Sequence, residues 1–197
     1  MVYYEDNIMG REHRKYSVVP YRDEWPKDFE HEAALIQSTL GGEIIYIEHV
    51  GGTAIPGLCG KPTIDIAATV RDIKKIDRFT LALKAVGYEA LGEEIAQNSR
   101  LFVKNQVHEH GDVERLVNLH LFPEEHAALT AMLDNRDYLL AHPEEMRRWC
   151  GVKERLFKKH PHDYWAYREE KKDYLEQLSK KAGRWRGRYA EEKEPLI

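Results

Sequence analysis

Cysteine is nearly absent from this chain: its 197 residues include two, Cys59 and Cys150, far apart in sequence. Two cysteines at that separation make no disulfide framework, and they suit a reducing, cytoplasmic setting. An apolar leader is missing as well, because residues 1–16 mix Tyr, Glu, Asp, Arg, His and Lys. No run approaches the roughly 20 consecutive apolar residues that span a bilayer. Internal repeats and low-complexity segments are also missing. The formal charge is −4, so no overall field draws the molecule to nucleic acid or an anionic membrane. These absences point to a cytoplasmic protein with no membrane partner and argue against a nucleic-acid partner. What is present suffices for a core, with 42% hydrophobic residues in a length suited to one domain.

The chain is organised around His49-Val50-Gly51-Gly52-Thr53-Ala54-Ile55-Pro56-Gly57-Leu58-Cys59-Gly60-Lys61-Pro62-Thr63-Ile64-Asp65-Ile66. An apolar run, Ile44-Ile45-Tyr46-Ile47, precedes it and reads as a buried strand. A second run, Ile64 to Val70, follows and carries one acid, Asp65. The pattern is strand, glycine-rich turn, strand with a carboxylate. Paired glycines let the backbone approach a ligand, and adjacent N–H groups converge on anions. Gly51, Gly52, the Thr53 hydroxyl and the Lys61 charge are parts of a nucleotide-phosphate site, with Asp65 placed to hold a hard cation such as Mg²⁺. The same residues equally describe a tight Gly/Pro turn with a capping Asp.

Along the chain, residues 1–16 read as a polar extension. Ser17 to Tyr21 reads as a short edge strand ended by Pro20. Trp25, Phe29, Ala33 and Ile36 give Asp23–Leu40 helical spacing, with Asp23 as N-cap and Gly41-Gly42 as the stop. Arg71–Val86 reads as a second helix capped by Gly87. Strands are expected at Tyr88–Leu91, Arg100–Lys104 and Arg115–Phe122, the last two forming a hairpin across the polar turn His108–Asp112. Helices are expected over Pro123–Ala141, Pro143–Lys159 and Asp163–Lys181, punctuated by His142-Pro143 and His160-Pro161. The expected class is α/β (α+β): a mixed β-sheet core over 17–122 with helices on one face, then a helical C-terminal half over 123–181, then a tail over 182–197.

Strand side chains alternate faces. Thr63, Asp65 and Ala67 share one face, opposite Ile64, Ile66 and Ala68; Leu116, Asn118 and His120 lie opposite Val117, Leu119 and Leu121. If the polar faces coincide, Asp65, Asn118 and His120 line one cleft; otherwise Asn118 and His120 point to solvent from a half-exposed sheet. His49, at a strand end, serves either as an acid/base or phosphate contact or as a hydrogen-bonded structural residue. His108-Glu109-His110 reads as a surface loop.

The central block resembles the signature His-(Ile/Val)-Gly-Ser-Thr-x-(Val/Ile)-Pro-Gly-Leu-x-x-Lys-Pro-x-Ile-Asp of the GrpB family, which looks like a branch of the nucleotidyltransferase superfamily. The resemblance runs from about Tyr16 to Leu178 and implies a nucleotidyltransferase-like core with a helical completion. Gly52 stands where the family usually has Ser, and Asn118-Leu119-His120 stands where it reads His-Leu-His. Asn is a poor transition-metal ligand, so a histidine-based zinc site is not expected. Arg100 matches a family Arg that either binds phosphate or is a solvated strand-start residue. Asn135-Arg136-Asp137-Tyr138-Leu139-Leu140-Ala141-His142-Pro143 resembles Phe-Arg-Asp-Tyr-Leu-Arg-x-His-Pro. Lys153, Tyr167 and Lys171 also match. Arg136, Lys153 and Lys171 would then grip a triphosphate from the far wall, or Arg136-Asp137 would be a local ion pair.

The resemblance implies nucleotidyl transfer from a Mg²⁺-nucleoside triphosphate, or binding of another phosphorylated small molecule. Asp65, His120 and His49 would sit at the chemistry. The superfamily's Asp-x-Asp is incomplete here, because Thr63 and Ala67 flank Asp65 and the later strand offers Asn118 and His120. Two metals about 3.5–4 Å apart need several anionic ligands. At most one Mg²⁺ is therefore expected, held by Asp65 and the ligand's phosphates. The alternative is a non-catalytic nucleotide- or metabolite-binding module linked to coenzyme A metabolism, since family members resemble a domain fused to dephospho-coenzyme A kinase. A third reading gives RNA or protein binding to the basic-aromatic run Arg184-Trp185-Arg186-Gly187-Arg188-Tyr189.

Overall fold

In the computed structural model the backbone is described for residues 14–193 and side chains as far as Gly187. The strands are β1 (Arg14–Lys15), β2 (Ile44–Val50), β3 (Ile64–Val70), β4 (Glu89–Gly92), β5 (Arg100–Val107) and β6 (Val113–Phe122). The α-helices are α1 (Trp25–Leu40), α2 (Thr80–Ala85), α3 (Ala127–Ala141), α4 (Pro143–Lys159) and α5 (Tyr164–Lys193). The sheet order is β2-β3-β6-β5-β4, with β1 against β6. β3 and β6 are parallel, whereas β2–β3, β5–β6 and β4–β5 are antiparallel.

The sheet is covered on both faces, which is why β3 is buried along almost its whole length. Ile64, Ile66, Ala68 and Val70 join Val117, Leu119 and Leu121 under Trp25, Ile36 and Leu40 of α1 and Leu83 of α2. On the reverse face Val50, Ala67 and Phe122 pack on Leu129 of α3. The helical C-terminal half therefore lies across the sheet from the first two helices. Glu32 of α1 accepts hydrogen bonds from Lys104 of β5 at 2.7 and 2.8 Å and from the Tyr88 hydroxyl at 2.8 Å.

Several boundaries differ from expectation. Glu24, not Asp23, is the N-cap of α1, and it makes no side-chain capping bond. Pro26 removes one of the N–H groups that a capping carboxylate would accept from. Ser17–Tyr21 is no strand: Val19 makes a single bridge to Gly60, and Pro20 has no N–H to extend it. Strand pairing instead occurs at Arg14–Lys15, inside the supposed extension; residues 1–13 lie outside the described residues.

Arg71–Val86 is not one helix. Asp72 accepts from Lys74 N at 3.0 Å and starts a turn, the 3₁₀ segment Lys75–Phe79 follows, and α2 begins at Thr80. Helix α3 starts four residues late, at Ala127, because His126 caps it through Nδ1 on Ala128 N at 3.1 Å. Helix α5 runs without a break beyond Lys181. Trp185 meets the rings of Tyr138 and His142, at 5.9 and 5.5 Å, and Arg186 lies 2.9 Å from Asp134 and 3.6 Å from Asp137. This part of the basic-aromatic run docks on α3 instead of being offered to bases.

The cysteine expectation is also overturned. Cys59 and Cys150, 91 residues apart, have Cα atoms 5.4 Å apart and are joined by a disulfide. Sequence distance hid the pairing because the fold lays α4 against the glycine loop.

Candidate functional site: a cationic cleft around Asp65

The register of the sheet positions the acid. Asp65 pairs with Val50 on one side and with Asn118 on the other, and Ala67 pairs with His120. Gly51, just beyond Val50, has φ +74 and lies so close to Asp65 that any Cβ would collide with its carboxylate. The Asn118 amide donates to Asp65 Oδ1 at 2.7 Å, and Arg115 donates to Asn118 Oδ1 at 2.9 Å and to Asn105 Oδ1 at 2.7 Å. This relay orients both the amide and the acid. His120 Nε2 is 3.7 Å from Asp65 Oδ1, and its buried Nδ1 has no hydrogen-bond partner among the described residues. Burial pushes the Asp65 pKa up, but His120, the Asn118 hydrogen bond and Lys61 outweigh it and hold the carboxyl below its usual range.

Three lysines converge on this floor. Burial brings Lys61 down to about 7, helped by Arg14 and opposed by Asp65; its Nζ is 3.4 Å from the Tyr164 hydroxyl. Lys153 of α4 is 5% exposed and donates to the Cys59 carbonyl. Its Nζ lies 3.5 and 3.6 Å from where a Cβ on Gly52 or Gly60 would stand, so the amine is in contact range of both glycines. Burial, then Lys171 and Lys61, lower Lys153 to about 7. Lys171 of α5 falls to about 8 through burial and Lys61. The cleft between sheet and helices holds about 410 Å³, and Arg14, Arg115 and Arg168 also line it.

Of the residues singled out in sequence, the cleft gathers Asp65, His120, Gly51, Gly52, Lys61 and Lys153. Four others have different positions or are already engaged. His49 faces α1, stacked on Phe29 at 4.7 Å with Nε2 2.9 Å from Thr53 Oγ1; burial lowers it to about 4, so it is neutral at pH 7. The Thr53 hydroxyl is 1% exposed and donates to the Thr63 carbonyl. Arg100 lies on the opposite face of β5 from Leu101, held by Asp77 at 2.6 and 2.8 Å and by Glu93 at 2.9 Å. Arg136 borders the cleft, but Glu48 at 2.7 Å, the His49 carbonyl at 3.0 Å and Asp137 at 2.9 Å occupy its guanidinium.

Arg14 and Arg115 were missed by sequence reasoning. Strict alternation puts Arg115 with Val117, on the α1 side. The register slips at Lys104/Asn105, where β6 carries an extra residue, and Arg115 turns to the cleft. Arg14 gave no signal, since its position over the Tyr164 ring at 3.9 Å depends on β1 pairing with β6.

The donor set bears on which metal could fit. Among the described residues the one cluster of three metal-ligating side chains is Cys59, Cys150 and Glu154, and none includes Asp65. With one oxygen held by Asn118 and no cluster of three ligating side chains around it among the described residues, Asp65 suits a single cation completed by a ligand's own oxygens, not a two-metal centre.

The fold and cleft define a mixed-sheet α/β protein with a lysine-rich cleft around the Asp65 carboxylate. The family model described as GrpB protein matches residues 15–181, and the chain belongs to that family. It is 31% identical over 173 residues to UPF0157 protein YqkA of Bacillus subtilis; the match covers 88% of this chain and 49% of that protein, about half its length. The crystal structure of conserved protein GrpB from Enterococcus faecalis superposes with a TM-score of 0.78 at 26% identity, over 84% of this chain and 96% of that one. A dephospho-CoA kinase of Mycolicibacterium paratuberculosis is 25% identical over 191 residues, covering 85% of this chain and 46% of the kinase. Among the described residues no helix is long and apolar enough to cross a membrane.

Proposed function

We propose that the cleft binds a nucleoside triphosphate and passes its nucleoside monophosphate to an acceptor hydroxyl or phosphate, as the nucleotidyltransferase resemblance of the central motif implies. The observation that carries this reading is the convergence of Lys61, Lys153 and Lys171 on the glycine turn above Asp65. The lysines neutralise the phosphate chain and orient it. The acceptor oxygen bonds to the α-phosphorus, the bond from that phosphorus to the β-phosphate's bridging oxygen breaks, and pyrophosphate leaves. Asp65, ionised at neutral pH, or His120 beside it would receive the acceptor's proton. One Mg²⁺ on Asp65, when bound, supplies further charge neutralisation.

Calorimetric titration with Mg²⁺ and each of the four nucleoside triphosphates tests the proposal. At least one should bind, and Asp65→Asn should weaken it about tenfold or more while leaving the melting temperature nearly unchanged. Absence of heat with all four would refute the reading. That Asp65 belongs to no cluster of three ligating side chains among the described residues favours a second reading, a nucleotide- or metabolite-binding module without turnover. The similarity to a dephospho-CoA kinase supports coenzyme A metabolism as its setting. Pyrophosphate released from labelled triphosphate would rule that module out.

A further inference from the structure

Neither Cys59 nor Cys150 lines the cleft, yet their disulfide joins two elements that build it. Cys59 sits in the glycine loop between Leu58 and Gly60, and Cys150 sits on α4 three residues before Lys153. The other links at this junction are noncovalent. Ile55 and Leu58 pack with Trp149 and Leu139 in one apolar cluster, and Lys153 donates to the Cys59 carbonyl. The cross-link is thus the covalent part of the seam that keeps the loop under Lys153.

We propose that the Cys59–Cys150 pair is a redox-controlled clamp on the glycine loop, closed as the disulfide and opened by thiols. The proposal rests on the reading of the cleft as a site for phosphorylated ligands, because the loop is the wall that meets their phosphates. Closing requires a low-molecular-weight disulfide of the glutathione type as oxidant. One cysteine thiolate attacks it, forming a mixed disulfide and releasing one thiol. The other cysteine thiolate then displaces the second thiol and forms the Cys59–Cys150 bond. The two cysteines give up two protons and two electrons in all, and two small thiols are produced.

Opening runs from the accessible side. Cys150 is partly exposed while Cys59 is 3% exposed, so an incoming thiolate attacks Cys150, and Cys59 leaves as the thiolate and takes up a proton. A second thiolate then attacks the added thiol's sulfur in the mixed disulfide, releasing Cys150 as a thiol and a small-molecule disulfide. With the bond open, apolar packing and one lysine–carbonyl hydrogen bond hold the loop to α4. Lys153 is then less firmly placed above Gly52 and Gly60.

Hydrogen–deuterium exchange on the full chain tests the clamp, after glutathione disulfide and after a phosphine reductant, with thiols counted by alkylation. The oxidised chain should offer no alkylatable thiol and the reduced chain two. Amides of residues 51–61 should exchange at least about tenfold faster on reduction, while the β5–β6 hairpin stays unchanged. Adenosine triphosphate with Mg²⁺ should bind about tenfold more weakly to the reduced protein. Cys150→Ser should behave as the reduced form and ignore both reagents. Two alkylatable thiols after glutathione disulfide, or equal loop exchange in both states, would overturn the clamp. Triphosphate binding that is equal in both states would overturn it too. A loop that loosens on reduction while no triphosphate binds in either state would remove the ligand reading and leave the clamp standing.

Discussion

At the scale of the residue, the site depends on how closely backbone and carboxylate approach each other. Gly51 holds φ +74 against the Asp65 side chain, and both conditions exclude a Cβ. Gly51→Ala should therefore cost about 2 kcal/mol, from left-handed backbone strain and displacement of Asp65. Urea unfolding at constant slope measures it, and a loss well under 1 kcal/mol would mean that the turn relaxes freely. Gly41, at φ +56, has open space where a Cβ would stand, so strain alone acts there. His49 shows the opposite lesson. It lies two residues from Gly51, yet its imidazole is absorbed by Phe29 and Thr53 on the far face.

At the scale of the element, α1 is tied to the sheet through Glu32 with Lys104 and Tyr88. The side chains of Glu32 and Lys104 are 13% and 18% exposed. Glu32→Gln would leave the Lys104 ammonium facing a neutral amide, and stability should fall by about 2–3 kcal/mol. Adding Lys104→Met should recover much of that loss, because the uncompensated charge goes with it. A double variant as unstable as the sum of the singles would show that the two side chains act independently. Helix α5 makes a more exposed tie on the other layer, where Arg186 and Trp185 reach α3. The periodicity of 163–181 announced the helix but not this extension, which is stabilised by α3 and not by any local pattern.

At the scale of the whole molecule, lysine crowding links stability and binding to pH in opposite senses. Lys61 and Lys153 titrate at about 7 and Lys171 at about 8 in the folded protein, against about 10.4 in an unfolded chain. Between those values the unfolded chain binds more protons, so the penalty of burying charged lysines is relieved as pH rises. The ligand-free protein should gain urea resistance from pH 6.5 to 9. Phosphate groups are already ionised above their second pKa near 6, so over pH 7 to 9 the lysines alone lose charge. Triphosphate affinity should fall about tenfold across that interval. Calorimetry and urea melts on the same samples check both slopes; slopes of equal sign would show that the lysines do not carry the binding.

The sequence by itself determined the alternation that sends Ile64 and Ile66 to one face and Asp65 to the other, since strand period is a local property. It also determined the glycine turn, the β5–β6 hairpin and the three C-terminal helices, each written in neighbouring residues. Tertiary structure alone decided which charges meet. Parallel pairing of β3 with β6 sets Asn118 beside Asp65, and the register slip turns Arg115 inward. The packing of α4 and α5 over the loop brings Lys153 and Lys171 to the cleft and closes Cys59 on Cys150 across 91 residues. Local spacing carries no record of such encounters, because they depend on how separate layers stack, and that is settled by burial over the whole chain.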